Sequence, residues 1–156
     1  MPAWSTPKQD FALNDIVTAS HLNAIGENLA YLKEAPARAK SDLTPASIDS
    51  STWTVRATLS LTTRGGDLLA GFSVPVYHAG AGRAHFDIAL DGTRVALNGA
   101  SGSLELTPGG SGTLAQAALQ LLLTGVTSGA HAVTLQWKTD AAGLNMHHGQ
   151  FYAVEL

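Results

Sequence analysis

Trp53-Thr54-Val55-Arg56-Ala57-Thr58-Leu59-Ser60-Leu61-Thr62 is the stretch that decides the fold, and His131-Ala132-Val133-Thr134-Leu135-Gln136-Trp137-Lys138 repeats its pattern near the other end of the chain. In the first, Trp53, Val55, Ala57, Leu59 and Leu61 alternate with Thr54, Arg56, Thr58, Ser60 and Thr62. In the second, His131, Val133, Leu135 and Trp137 alternate with Ala132, Thr134, Gln136 and Lys138. A helix returns side chains to one face every three or four residues, whereas a strand does so every two. Both stretches are therefore predicted to be half-buried strands, the apolar set inside and the polar set wet.

The same period runs outward from these two. Arg64-Gly65-Gly66-Asp67 turns the chain into a strand with Ala70, Phe72, Val74 and Val76 inside, where Pro75 implies an edge or a bulge. Ala84, Phe86, Ile88 and Leu90 then alternate with His85, Asp87 and Ala89, which predicts a polar outer face. Asp91-Gly92 is a hairpin turn signal, and Val95 and Leu97 begin the return strand. Leu104 and Leu106 make a short strand before a Gly-rich stretch. Residues 114–126 fit helix and strand alike, and their close strand neighbours favour a strand over 117–123. A loop follows the 131–138 strand, and residues 150–156 form the last strand. About eight short strands with Gly-rich turns and no internal repeat predict a mainly β chain, an antiparallel β-sandwich of the jelly-roll kind over residues 52–156.

The N-terminal part reads differently. Pro2 and Pro7 disfavour helix, so the first dozen residues are expected as an extended arm carrying Trp4 and Phe11. Thr18 is a suitable N-cap, and Leu22, Ile25, Leu29 and Leu32 follow at spacings of three, four and three, the a/d pattern of a heptad seam. One short amphipathic helix is expected there, ended by Pro36. Two heptads do not hold a coiled coil unaided, so an amphipathic helix docked on its own domain and a helix bundling with copies of itself both stay open. The narrow stripe favours the bundle. Pro, Ala and Ser dominate from 35 onward. The expected division is arm and helix in 1–40, linker in 41–51 and sandwich in 52–156.

Composition narrows the function. Of 156 residues, 45% are hydrophobic and only 13% are charged, about half the usual charged share. A surface this poor in charge is expected to rest on other subunits, a lattice or a ligand, and together with the a/d stripe it predicts a homotrimer. The net charge of −3 is scattered without a basic stripe, so no nucleic-acid partner is expected. There are no cysteines, which removes disulfides, thiolate metal sites and thiol nucleophiles. The first residues lack the basic and apolar regions of a secretory signal, no run reaches the ~18 apolar residues of a membrane span, and no membrane partner is expected.

No catalytic set stands out, and the chain is expected not to be an enzyme. A Gly-x-Ser-x-Gly elbow is absent, and Gly80-Ala81-Gly82 lacks the third glycine and the helix of a phosphate-binding loop. His147 and His148 are adjacent and point opposite ways on an extended chain. His85 and Asp87 share a strand face, for which an outward polar face is a simpler reading than a metal site. No metal and no cofactor is expected. Trp53 and Trp137 fall in register with aliphatic residues and are expected in the core. Tyr77, out of register with Val74 and Val76, and Tyr152, on the side of Val154 and Leu156, are the candidates for a ligand or an interface. Trp4, Phe11, Leu22, Ile25, Leu29 and Leu32 are the candidates for anchoring and oligomerisation.

Two stretches carry a resemblance. Val17, Thr18, Ala19, Leu22, Asn23, Asn28 and Leu29 match a "V-T-A-x-x-L-N" and "x-N-L" pattern that resembles a segment near the N-terminus of small tailed-phage virion structural proteins. Residues 124–139, with Gly129-Ala130-His131-Ala132-Val133-Thr134-Leu135, resemble the penultimate hairpin in the outer domain of phage fibre, spike and decoration proteins, some similar to the trimeric tumour-necrosis-factor jelly roll. A "Gly-x-His-x-Val-x-Leu" hairpin also appears in carbohydrate-binding sandwiches. The two stretches cover about a fifth of the chain. The resemblance implies an N-terminal anchor and a trimeric outer domain located on a virion. It makes a capsid decoration protein or head fibre the leading expectation, docked on a major capsid protein or a tail or neck protein. The rival is a tail fibre, spike or carbohydrate-binding module that recognises a host-surface glycan.

Overall fold

The structure, a computed structural model, describes residues 22–25, 36–97, 99, 102–108 and 113–156. The chain divides after Pro36 into two units, Met1–Pro36 and Ala37–Leu156. In the first, residues 22–25 are helical.

The second unit is built from eleven strands: β1 (Arg38–Leu43), β2 (Ala46–Ile48), β3 (Thr54–Thr63), β4 (Gly66–His78), β5 (Ala84–Leu90), β6 (Thr93–Arg94), β7 (Leu104–Leu106), β8 (Ala115–Val126), β9 (Gly129–Thr139), β10 (Leu144–Met146) and β11 (Gly149–Glu155). They form two antiparallel sheets. One runs β1-β11-β4 with β8 on the far side of β4, and with β10 and β2 continuing the rows of β11 and β1. The other runs β3-β9-β5, with β6 and β7 beyond β5. Numbering the eight main strands β1, β3, β4, β5, β7, β8, β9 and β11 in chain order, the sheets read 1-8-3-6 and 2-7-4-5. Each strand's successor thus lies mostly in the opposite sheet, which is the wrapped hairpin of a jelly roll.

The core forms where the inner faces meet. Phe72, Val74 and Val76 of β4, Phe151 and Ala153 of β11 and Leu121 of β8 face Phe86 and Ile88 of β5 and Val133, Leu135 and Trp137 of β9. Phe72 and Phe86 bring their ring centroids to 5.3 Å across the two sheets. The period-two reading of β4, β5 and β9 therefore places its apolar residues correctly, and β8 is a strand, longer than expected. Asp91 and Gly92 both have positive φ, 49° and 83°, and Leu90 pairs with Thr93 across them. That is the two-residue turn their sequence predicts.

Four expectations need correction. The linker 41–51 contains the end of β1 and all of β2, with Leu43 and Ile48 in the core. Ala39, Ser41 and Leu43 point inward and Arg38, Lys40 and Asp42 outward, so the period of two was present but carried by small residues. Trp53 is only half-buried, because β3 has a register shift between Val55 and Ala57 that turns Val55 and Trp53 out of the core set. His85 and Asp87 are buried rather than wet, since the chain beyond β6 folds back over that face of β5. Pro75 lies on a strand with neighbours on both sides. Its missing N–H falls at the break between β10 and β11, where the His147 N–H donates to the Pro75 carbonyl at 2.9 Å.

Candidate functional site

The outer face of the β1-β11-β4-β8 sheet brings the two candidate tyrosines together. Directly opposed residues on antiparallel strands share a face, so the register defines its rows. Lys40, Tyr152, Gly71 and Gln120 form one row, and Asp42, Gln150, Ser73 and Ala118 the next. Arg38, Val154, Leu69 and Leu122 lie on the other side of the first. Further along β4, Tyr77 lies opposite Asn145, which in turn lies opposite Ser47.

Tyr152 is held in an unusual attitude. It rises from β11, yet its hydroxyl accepts a hydrogen bond from the Gln120 side-chain amide on β8, two strands away. Strands lie about 4.8 Å apart, so the ring must lie across β4 to make that bond. Gly71 makes this room: a Cβ there would sit 2.7 Å from the Tyr152 hydroxyl oxygen and 2.8 Å from the Leu119 carbonyl. Beside the ring, the Gln116 amide donates to Ser73 Oγ at 2.9 Å. Tyr152, Gln120, Ser73, Ala118, Leu119 and Phe72 line a shallow depression of about 430 Å³. Tyr77 pairs with the His147 ring at 5.6 Å between centroids, and the Asn145 amide is fixed by the Gly143 carbonyl at 2.8 Å. The charged side chains in these rows, Arg38, Lys40 and Asp42, all belong to the edge strand β1, and Lys40 and Asp42 lie 3.6 Å apart. Sequence reading found the tyrosines but missed Gly71, Gln116 and Gln120. A glycine inside an apolar strand, the mark of a close approach, was the available signal.

Trp4, Phe11, Leu29 and Leu32 lie outside the described residues. Leu22 and Ile25 are described, helical, and 59% and 46% exposed.

Several polar groups elsewhere in the sandwich tie its segments together. The Asp87 carboxylate accepts from its neighbour's N–H (Ile88), from Ser103 Oγ at 2.7 Å and from the Ala96 N–H, with the Arg94 guanidinium 3.4 Å away. This ties the covering segment onto β5. Trp53 rests against Gly102 with Arg94 4.5 Å and Lys138 5.0 Å from its ring centroid. His131 links two turns: Nδ1 lies 2.7 Å from Asp91 Oδ2 and Nε2 2.8 Å from the Thr127 carbonyl. The Asp91 bond and the Thr127 carbonyl raise the imidazole above its ordinary range. The Ala132 N–H, then His131, hold the Asp91 carboxyl below its own. Burial pushes Glu155 up, but the N–H groups of Ala37 and Arg64 and the Arg64 guanidinium outweigh it and keep this carboxyl low. Among the described residues no group of three or more His, Cys, Asp or Glu side chains is placed to hold a metal ion, and no helix is long and apolar enough to cross a membrane.

No family model matches the sequence, and no curated protein sequence matches it. Its fold is similar to solved structures. A chain in the structure of infectious bursal disease virus, Gx strain, superimposes with a TM-score of 0.55 at 12% identity, over 78% of this chain and 32% of that one. A chain of the Gt strain gives 0.39 at 16% identity, covering 76% and 32%. The carbohydrate-binding module CBM35 from Paenibacillus barcinonensis gives 0.36 at 13% identity, covering 72% and 91%. This chain therefore spans about a third of the virus chains it resembles. The likeness to the Gx strain chain is one of fold: a mainly β, two-sheet sandwich.

Proposed function

We propose that this chain is a non-enzymatic virion structural protein of tailed-phage type, a trimeric capsid decoration protein or head fibre attached through its N-terminal arm and helix. One observation carries the reading. Leu22 and Ile25, the described members of the heptad stripe, are 59% and 46% exposed. Exposed apolar side chains at a/d spacing are suited to a partner. The resemblance of residues 17–29 to phage N-terminal segments supports the reading, as does a shared fold with a chain of a virus structure.

The mechanism is physical. Three stripes of Leu22, Ile25, Leu29 and Leu32 bury one another, Trp4 and Phe11 dock on a major capsid, tail or neck protein, and the sandwich is presented outward. Three weak attachments joined in one trimer hold far longer than one, because each bound arm raises the effective concentration of the others. Light scattering on the purified full chain at tens of micromolar, with co-sedimentation on particles lacking the protein, tests this. A trimer that pellets with the particles is expected. A monomer that stays in the supernatant refutes it.

A further inference from the structure

We infer that the outer face of the β1-β11-β4-β8 sheet is a binding face for neutral oligosaccharides, with Tyr152 as its stacking platform. A pyranose has one face of weakly positive C–H groups and a rim of hydroxyls. Its complement is an aromatic ring with its negative face exposed, bordered by groups that both donate and accept hydrogen bonds. The tip of the Tyr152 ring lies over Gly71 with its hydroxyl tied to Gln120, so the half-buried ring is laid along the outer face of the sheet and little freedom remains to lose on binding. Gln116, Gln120 and Gln150 offer amides and Ser73 a hydroxyl around it, all exposed. Tyr77 and Asn145 repeat the pairing of ring and amide six positions along β4, from 71 to 77, about 20 Å away at the rise of a strand. That separation fits an extended oligosaccharide rather than a single sugar. In these rows the charges sit only on the edge strand β1, where Lys40, opposite Tyr152, lies 3.6 Å from the Asp42 carboxylate, so the cation beside the ring is balanced and a neutral glycan is favoured over an acidic one. A second copy of the chain fits less well, because docking it flat would bury the exposed amides and they would need matched partners.

The test uses the purified full chain and needs no virus particle, so it fails or succeeds independently of the attachment proposed above. Arrayed neutral and acidic oligosaccharides identify a ligand, and calorimetry measures its affinity. We expect a neutral oligosaccharide to bind in the millimolar to micromolar range. Tyr152→Ala is expected to weaken it by roughly tenfold or more, while Tyr152→Phe, which keeps the ring, stays within about threefold. Gln120→Ala gives an intermediate loss, and melting temperatures confirm that each variant is folded. The inference is overturned if no neutral oligosaccharide binds at millimolar concentration, or if Tyr152→Ala leaves binding intact. It is overturned equally if that variant changes the oligomeric state, which would make the face a subunit contact.

Discussion

His131 Nδ1 lies 2.7 Å from Asp91 Oδ2, and the far nitrogen of the same ring lies 2.8 Å from the Thr127 carbonyl. Both partners accept hydrogen bonds, so both bonds are made together only when the imidazole is protonated and both ring nitrogens donate. The bridge ties the β5–β6 turn to the β8–β9 turn. Its folded-state affinity for a proton is raised, so its contribution is fully present below the ordinary histidine range and is lost as pH rises through the folded value. The groups are solvent-screened, and the effect is below about 1 kcal/mol. The melting temperature is expected to fall by a few degrees from pH 6 to pH 8. In Asp91→Asn that fall should largely disappear. An unchanged slope in the variant would show that the bridge contributes nothing.

Glu155 has the opposite dependence. Its carboxylate is 3% exposed and accepts from the Ala37 N–H at 3.0 Å and the Arg64 N–H at 2.6 Å, with Arg64 Nε at 3.4 Å. It thereby clamps the start of the sandwich and the β3–β4 turn to the last strand. Because its folded pKa is lowered, the stabilisation is present above the ordinary glutamate value and is lost as pH falls through the folded one. Glu155→Gln is expected to cost about 2 kcal/mol at pH 7, as two half-buried N–H groups lose a charged acceptor. Chemical denaturation at pH 7 and pH 3 checks this: the gap between the two proteins should narrow sharply in acid.

Trp137 tests the core. It is 3% exposed, lies opposite Phe86 on β5 and carries the Arg56 guanidinium 5.9 Å from its ring. Trp137→Ala is expected to cost about 3–5 kcal/mol, read as a fall in the denaturant midpoint. Trp53→Ala should cost clearly less, because that ring is half-buried under Arg94 and Lys138 rather than enclosed.

The two tryptophans also mark how far the sequence is legible. Where a strand runs in regular register, as β9 does through Trp137, the alternation states which side chains are inside. At Trp53 the alternation is equally clean but false, because a bulge two residues later reverses the faces and leaves no mark in composition. β1 and β2 fail for another reason: their inward residues are Ala, Ser, Leu and Ile in a Pro-punctuated stretch, and small side chains give a weak periodic signal. His85 and Asp87 show that polar residues in alternation need not be wet, since later residues can supply partners: Ser103 and Arg94 for Asp87, and Glu105 beside His85. The candidate face was half visible. Tyr77 stood out of register with Val74 and Val76, and Tyr152 shared a side with Val154 and Leu156, which is the outer face of the sheet. That Gln120 would meet Tyr152 depends on β8 and β11 flanking β4, which is topology and not pattern.

The boundary at Pro36 gives the last prediction its form. A deletion placed at residue 40 would remove half of β1 and with it three of its six pairings to β11, those at Arg38, Ala39 and Lys40. It would also remove the Ala37 N–H that Glu155 accepts. Such a protein would be damaged for reasons unrelated to attachment. Deleting residues 1–35 instead spares Pro36, Ala37 and the whole sandwich. Every described core residue, from Ala37 to Ala153, is retained, so the truncated chain is expected to melt cooperatively with strand-type circular dichroism close to that of the full chain. It should lose the trimer in light scattering and fail to co-sediment with particles, because the stripe begun by Leu22 and Ile25 is gone. Leu22→Asp combined with Ile25→Asp in the full-length chain should reproduce the loss of the trimer without shortening the chain, since a charge at each seam position cannot be buried without a partner. If the truncated protein unfolds, the N-terminal segment is part of the sandwich's own packing. If it still trimerises and decorates particles, the sandwich itself carries the contacts, and the helix has some other role.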